Sequence, residues 1–149
     1  MNEELVRRWN AKVRDDDLVY HIGDFTFKHP HNAQYWEEQL NGKIVHILGN
    51  HDKNNKVKSL ITHAIMEFGG MVFYVTHTPP NTEQKGTIQS ELIKIADVIL
   101  TAHVHDLWKY KITKDNKIML NVGVDVWNFE PIKISTILKM IRDIRKGKD

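Results

Sequence analysis

Four apolar runs in this sequence end in side chains that can bind a divalent metal. Residues 18–22 lead into Gly23-Asp24, and residues 43–48 lead into Gly49-Asn50-His51-Asp52. Residues 71–76 lead into His77, and residues 97–101 lead into Ala102-His103-Val104-His105. Taken singly, each has an ordinary reading. Asp24 reads as a turn or helix-cap residue, Asn50 as one that tolerates left-handed backbone, and the histidines as hydrogen-bonded loop residues. The same arrangement four times in one short chain points to a shared centre instead. A polar cluster at the tips of buried strands is costly unless something organises it. Oxygen and imidazole donors without thiolate suit Mn²⁺, Fe²⁺, Zn²⁺, Ni²⁺ or Co²⁺ rather than Ca²⁺.

The elements around these residues follow from pattern. Residues 43–48 are β-branched and apolar between Gly42 and Gly49, which reads as the central strand. Residues 2–13 put Leu5, Val6, Trp9 and Val13 on one helical face, with Asn2 as a cap and Glu3 and Glu4 at the positive end of the dipole. Helices are also expected at residues 33–40, 88–96 and 135–145. Gly69-Gly70 between two strand-like runs, 61–68 and 71–76, predicts a hairpin. Residues 107–113 and 117–122 predict a second one. Asp125 follows that hairpin and reads equally as a support for the site or as a turn residue. His46 and His63 fall inside strands and read as packed or exposed strand residues. Trp9, Trp36, Trp108 and Trp127 read as core or edge packing.

Composition narrows the class. At 149 residues the chain is expected to form a single domain, 1–149, large enough to bury a continuous core. A net charge of +2 is close to balance and does not argue for nucleic-acid binding. Cysteine is absent, which excludes disulfides and thiolate sites. No apolar run approaches the roughly 18 residues of a membrane helix, and no signal-peptide pattern opens the chain. A cytoplasmic protein that does not engage membranes is the resulting expectation.

The motifs Gly23-Asp24, Gly49-Asn50-His51-Asp52, His77 and Ala102-His103-Val104-His105 resemble, in order and spacing, those of the calcineurin-like metallophosphoesterases, in their compact bacterial and phage form. The resemblance runs from about residue 13 to residue 131. It implies an α/β fold, the four-layer α/β/β/α sandwich of that family. It implies that Asp24 bridges two metals about 3.5 Å apart. Asn50, His77 and His103 would complete one metal's shell, and His105 would ligate the other. His51 would face the substrate phosphoryl group, stabilising charge or protonating the leaving oxygen. With Asp52 beside it, His51 makes up the candidate catalytic pair.

Two departures shape the expectation. The family opens with a strand ending in Asp-x-His, whose side chains bind the metal that His105 also binds. This chain starts in the helix that would follow, and Asp15, Asp16, Asp17 and His21 are unconvincing replacements. His29 and His31 are loop residues considered for the gap. The N-terminal strand is therefore expected to be missing, as in a truncated or mis-started reading frame. One metal site would then be full and the other weak or empty. The unpaired backbone left beside the site invites a homo-oligomer or strand pairing between chains. Second, Phe25-Thr26-Phe27 stands where protein serine/threonine phosphatases carry an acid and an arginine, which argues against a phosphoprotein phosphatase. The function expected is hydrolysis of phosphodiester or phosphomonoester bonds in a small or nucleotide-derived substrate. The alternative is an inactive relative that binds metal or phosphate. A dedicated nucleic-acid enzyme is not favoured.

Overall fold

The computed structural model describes residues 1–26 and 31–147. Helix α1 (Asn2–Lys12) starts from Met1, so Asn2 lies inside the helix and is not its cap. Trp9 anchors α1 by donating its indole N–H to the Asn41 carbonyl (2.9 Å), just before the strand at Lys43–Ile47. Among the described residues that strand is one of a pair, and not the central strand the sequence suggested. Asn10 and Asn41 reinforce the junction, with the Asn41 N–H donating to Asn10 Oδ1 (2.7 Å). Strand β1 (Leu18–Ile22) and strand β2 (Lys43–Ile47) pair in parallel, Leu18 opposite Lys43 and Ile22 opposite Ile47. Between them α2 (Ala33–Glu37) is capped by Asn32 and ends before Leu40, shorter than its apolar pattern suggested.

A five-stranded sheet holds the rest. Strands β3 (His63–Phe68) and β4 (Met71–Thr76) form the expected hairpin. Gly69 and Gly70 both take positive φ (56° and 74°), which the tight turn requires. After α3 (Ile88–Ile95), strand β5 (Val98–Thr101) inserts parallel to β4. Strands β6 (Tyr110–Ile112) and β7 (Ile118–Asn121) form the second hairpin, and the sheet order is β3-β4-β5-β7-β6. That hairpin is shorter than expected because the chain turns at residues 104–107, the Leu107 N–H bonding the Val104 carbonyl (3.1 Å).

Alternation sorts the side chains into layers. Phe73, Val75, Val98, Leu100, Ile118 and Leu120 on one face pack against Ile22 and Ile47 of the small sheet. Tyr74, Ile99 and Met119 on the other face meet Ile93 and Ala96 at α3. The outer side of β1–β2 carries α1 and α2, which gives the four α/β/β/α layers. Helix α4 (Ile134–Arg145) drives Ile137 and Ile141 into the inter-sheet core, on the same face as the small sheet. Among the described residues no helix is long and apolar enough to cross a membrane.

Candidate metal centre

Parallel pairing levels the strand ends. With Val75 opposite Leu100 and Thr101 opposite Asn121, the chain leaves β4 and β5 side by side. The Ala102 N–H bonds the His77 carbonyl there (2.9 Å). The exits of β1 and β2 meet the same place so closely that two glycines are required. A Cβ on Gly23 would lie 2.3 Å from His77 Nδ1, and one on Gly49 would lie 2.5 Å from the Asp24 nitrogen. Asp52 is fully buried and locks these loops together. Its carboxylate accepts the backbone N–H groups of Asp24 (2.8 Å), Phe25 (2.8 Å) and Gly49 (2.7 Å). Its acceptor capacity faces backbone, so Asp52 holds the site from behind.

Asp24 and His77 form the heart of the arrangement. Asp24 Oδ1 accepts the His51 backbone N–H (2.9 Å), while Oδ2 lies 3.1 Å from His77 Nε2. His77 is 4% exposed, and its Nδ1 lies 2.8 Å from the Ile22 carbonyl. A carbonyl only accepts, so Nδ1 carries a proton, which in the neutral ring leaves Nε2 with its lone pair. That lone pair faces both Asp24 Oδ2 and, at 3.1 Å, His103 Nδ1. The ligand atoms of Asp24, His77 and His103 all lie within 4.8 Å of one another. Three acceptor-capable atoms pointed at one volume repel unless a cation lies among them, and imidazole with a carbonyl behind it is a common ligand arrangement. The donor set fits a divalent metal. Backbone strain points the same way: Asp24 (φ 56°), His103 (φ 62°) and His105 (φ 49°) all sit in the left-handed region.

The other candidates occupy distinct positions. Asn50 is exposed and lines a hollow of about 360 Å³ with His77 and Thr78. His51 is half-buried one residue beyond. His105 is set apart from the three-residue cluster; its side chain is 79% exposed and its Nδ1 meets Asp125 Oδ2 at 3.1 Å. Asp125 thus touches a candidate ligand while also lying in a short 3-10 turn, Val124–Val126. His31 stacks on Tyr35 with ring centroids 3.8 Å apart and does not join the cluster. His29 lies outside the described residues.

Two features were not read from the sequence. Asn121, fully buried, donates to the carbonyls of His105 (2.8 Å) and Trp108 (2.9 Å), fixing the loop that carries both imidazoles. An asparagine ending an otherwise apolar strand is the signal for it. His21 and His46 pack with Phe25 on the small sheet, their ring centroids 5.6 Å apart. His46 Nε2 pairs with Glu37, and among the described residues nothing bonds Nδ1 of either ring. Burial, then the neighbouring His46, pushes the His21 pKa down to about 4.

Comparison with known proteins agrees with this architecture. The chain is 32% identical over 152 residues to the uncharacterised protein MJ1445 of Methanocaldococcus jannaschii, covering 99% of this chain and 77% of that one. A protein of unknown function from Aquifex aeolicus shares the fold with a TM-score of 0.65 at 18% identity, over 93% of this chain and 84% of that one. Vps29 of Entamoeba histolytica, solved in complex with Zn²⁺, aligns with a TM-score of 0.50 at 18% identity, over 83% and 64% of the two chains. A family model, that of the calcineurin-like phosphoesterase superfamily domain, matches residues 1–140, and with its strand-end cluster this chain belongs to that superfamily.

Proposed function

We propose that this chain is a metal-dependent phosphoesterase acting on phosphodiester or phosphomonoester bonds of a small or nucleotide-derived substrate. The observation that carries the reading is the convergence of Asp24, His77 and His103, with the His77 proton already committed to the Ile22 carbonyl. Asp24, His77 and His103 would hold one divalent ion, with the Asn50 amide oxygen arriving from the adjacent loop. His105 would contribute to a second. A bound divalent ion supplies water activation at neutral pH and neutralises phosphoryl oxygens. The chain's own groups do the rest. The His51 backbone N–H orients Asp24, and its imidazole stabilises phosphoryl charge or protonates the departing oxygen. Asp52 keeps the loops of Asp24 and Gly49 in register. Asp125 limits the swing of the His105 ring.

Metal analysis and hydrolysis of an aryl phosphodiester and an aryl phosphomonoester, run on one sample with added Mn²⁺, test this. Bound metal with turnover, and loss of turnover but not of metal in His51→Ala, is the expected result. Metal retained with neither ester hydrolysed would make the chain a binding relative, and no metal uptake would remove the reading altogether.

A further inference from the structure

The two flanks of the metal centre differ in charge. On the His105 side stands Asp125, 3.1 Å from His105 Nδ1. On the Asn50 side the chain runs from Lys53 to Met66 with three lysines, Lys53, Lys56 and Lys58, and no aspartate or glutamate. All three lysines are exposed. Among the described residues none of their ammonium groups has an ion-pair or hydrogen-bond partner. Asp52, the neighbouring acid, is committed elsewhere, because its buried carboxylate accepts the N–H groups of Asp24, Phe25 and Gly49.

Lys53 is the lysine that lines the hollow of about 360 Å³ beside Asn50 and His77. That volume lies near the lower end of the roughly 300–1,000 Å³ of ligand sites. Thr62, Thr76 and Thr78 share the lining, and among the described residues no carboxylate belongs to it. The short turn that carries Lys53, Asp52–Asn55, is pinned from within and from outside. Asn55 donates its amide to the carbonyls of His51 (2.9 Å) and Thr26, and the Val57 N–H bonds the Asp52 carbonyl (3.3 Å). The backbone that delivers this lysine is therefore fixed, while its ammonium is uncommitted. An ammonium only donates, and a hydroxyl donates as readily as it accepts. A hollow with an unpaired cation, threonines and no acid selects an anion. Its border with Asn50 and His77 puts that anion beside the phosphoryl group held at the centre.

We propose that this hollow is a subsite for a second phosphate group, and that Lys53 selects substrates that carry one. A phosphomonoester brings nearly two charges and three acceptor oxygens. That matches an ammonium and neighbouring hydroxyls, in the positive potential of Lys56 and Lys58, better than a carboxylate does. The substrate class is a nucleotide-derived phosphoester with a further phosphate one sugar's width from the bond that is cut. The inference deepens the phosphoesterase reading and rests on it for the fate of the first phosphate.

Binding tests the subsite, and turnover is read separately. Calorimetry on the intact chain in Mn²⁺ compares thymidine 3′,5′-bisphosphate with thymidine 5′-monophosphate. The bisphosphate should bind about tenfold or more tightly, and in Lys53→Met that ratio should fall toward one. Lys139→Met, which removes the same charge from α4, should keep the ratio. Equal affinities in the native chain, or no binding of either ligand, would overturn the proposal. So would an unchanged ratio in Lys53→Met, or an equal fall in both lysine variants. Hydrolysis is followed with the 4-nitrophenyl 5′-phosphate ester of thymidine, with and without a 3′-phosphate. If neither ester is cut while the affinity ratio holds, the subsite stands and the phosphoesterase reading fails. If both are cut while the affinities are equal, the reading stands and the subsite fails.

Discussion

His77 and His105 both stand at the ends of strands or just beyond them, yet their surroundings differ sharply. His77 is 4% exposed and held through Nδ1 by the Ile22 carbonyl, with Asp24 and His103 at 3.1 Å. The His105 side chain is 79% exposed and meets Asp125 at 3.1 Å. The first histidine has its tautomer and orientation set by the fold before any ion arrives. The second has backbone fixed by Asn121 but a ring free in solvent on most sides. A ligand whose orientation is prepaid binds more tightly than one ordered on binding. The difference therefore predicts two unequal halves of one centre.

The largest effect should come from His77→Ala, which removes a central ligand. Mn²⁺ affinity, measured by calorimetry, should fall by more than ~100-fold, beyond the range seen when only supporting partners are lost. His105→Ala should leave the tighter site much closer to its original affinity. Equal losses in the two variants would break the comparison.

Next in size is Asp52→Asn. The amide keeps one oxygen but turns an N–H₂ toward backbone donors, so at least one buried N–H loses its acceptor. Urea unfolding should show a loss of about 1–3 kcal/mol, and metal affinity should fall with it as the Asp24 and Gly49 loops part.

Acid should weaken the outer side of the small sheet. The His21 pKa is lowered in the folded chain to about 4 from 6.5, so the unfolded chain binds the extra proton first. The stability held through neutral His21 is complete above pH 6.5 and declines as pH falls toward about 4. The loss is on the order of 2 kcal/mol. Unfolding free energies at pH 7 and pH 4.5 should differ less in His21→Leu than in the native chain. A native-like slope in that variant would reassign the effect to other groups.

The smallest change is expected for Asp125→Asn. Exposed ion pairs are worth under about 1 kcal/mol, so tight-site Mn²⁺ affinity should shift by less than about fivefold. A large loss there would place Asp125 within the stronger half and erase the asymmetry.

Local chemistry made much of this molecule legible. β-branched runs closed by Gly23 and Gly49, the paired glycines at 69–70, and the single apolar stripe of residues 2–13 each specify their element from within a few residues. The candidate ligands were visible because each one terminates such a run. What Asp52 does was not visible, because Asp24 and Phe25, whose N–H groups it accepts, lie 28 and 27 residues away. That His103 and His105, two residues apart, part company was implied by the family resemblance alone and not by the local pattern. Both take left-handed backbone at a strand exit, where the alternation rule no longer fixes direction.

The sequence by itself determined the order of elements and the residue types delivered to each strand end, since periodicity and turn chemistry are short-range. Tertiary structure alone decided which of those residues converge. Parallel register levels β4 with β5, Gly23 and Gly49 admit the close approach of two loops, and the Ile22 carbonyl sets the His77 tautomer. Pairing is a property of neighbours distant in the chain, and no local pattern states their register.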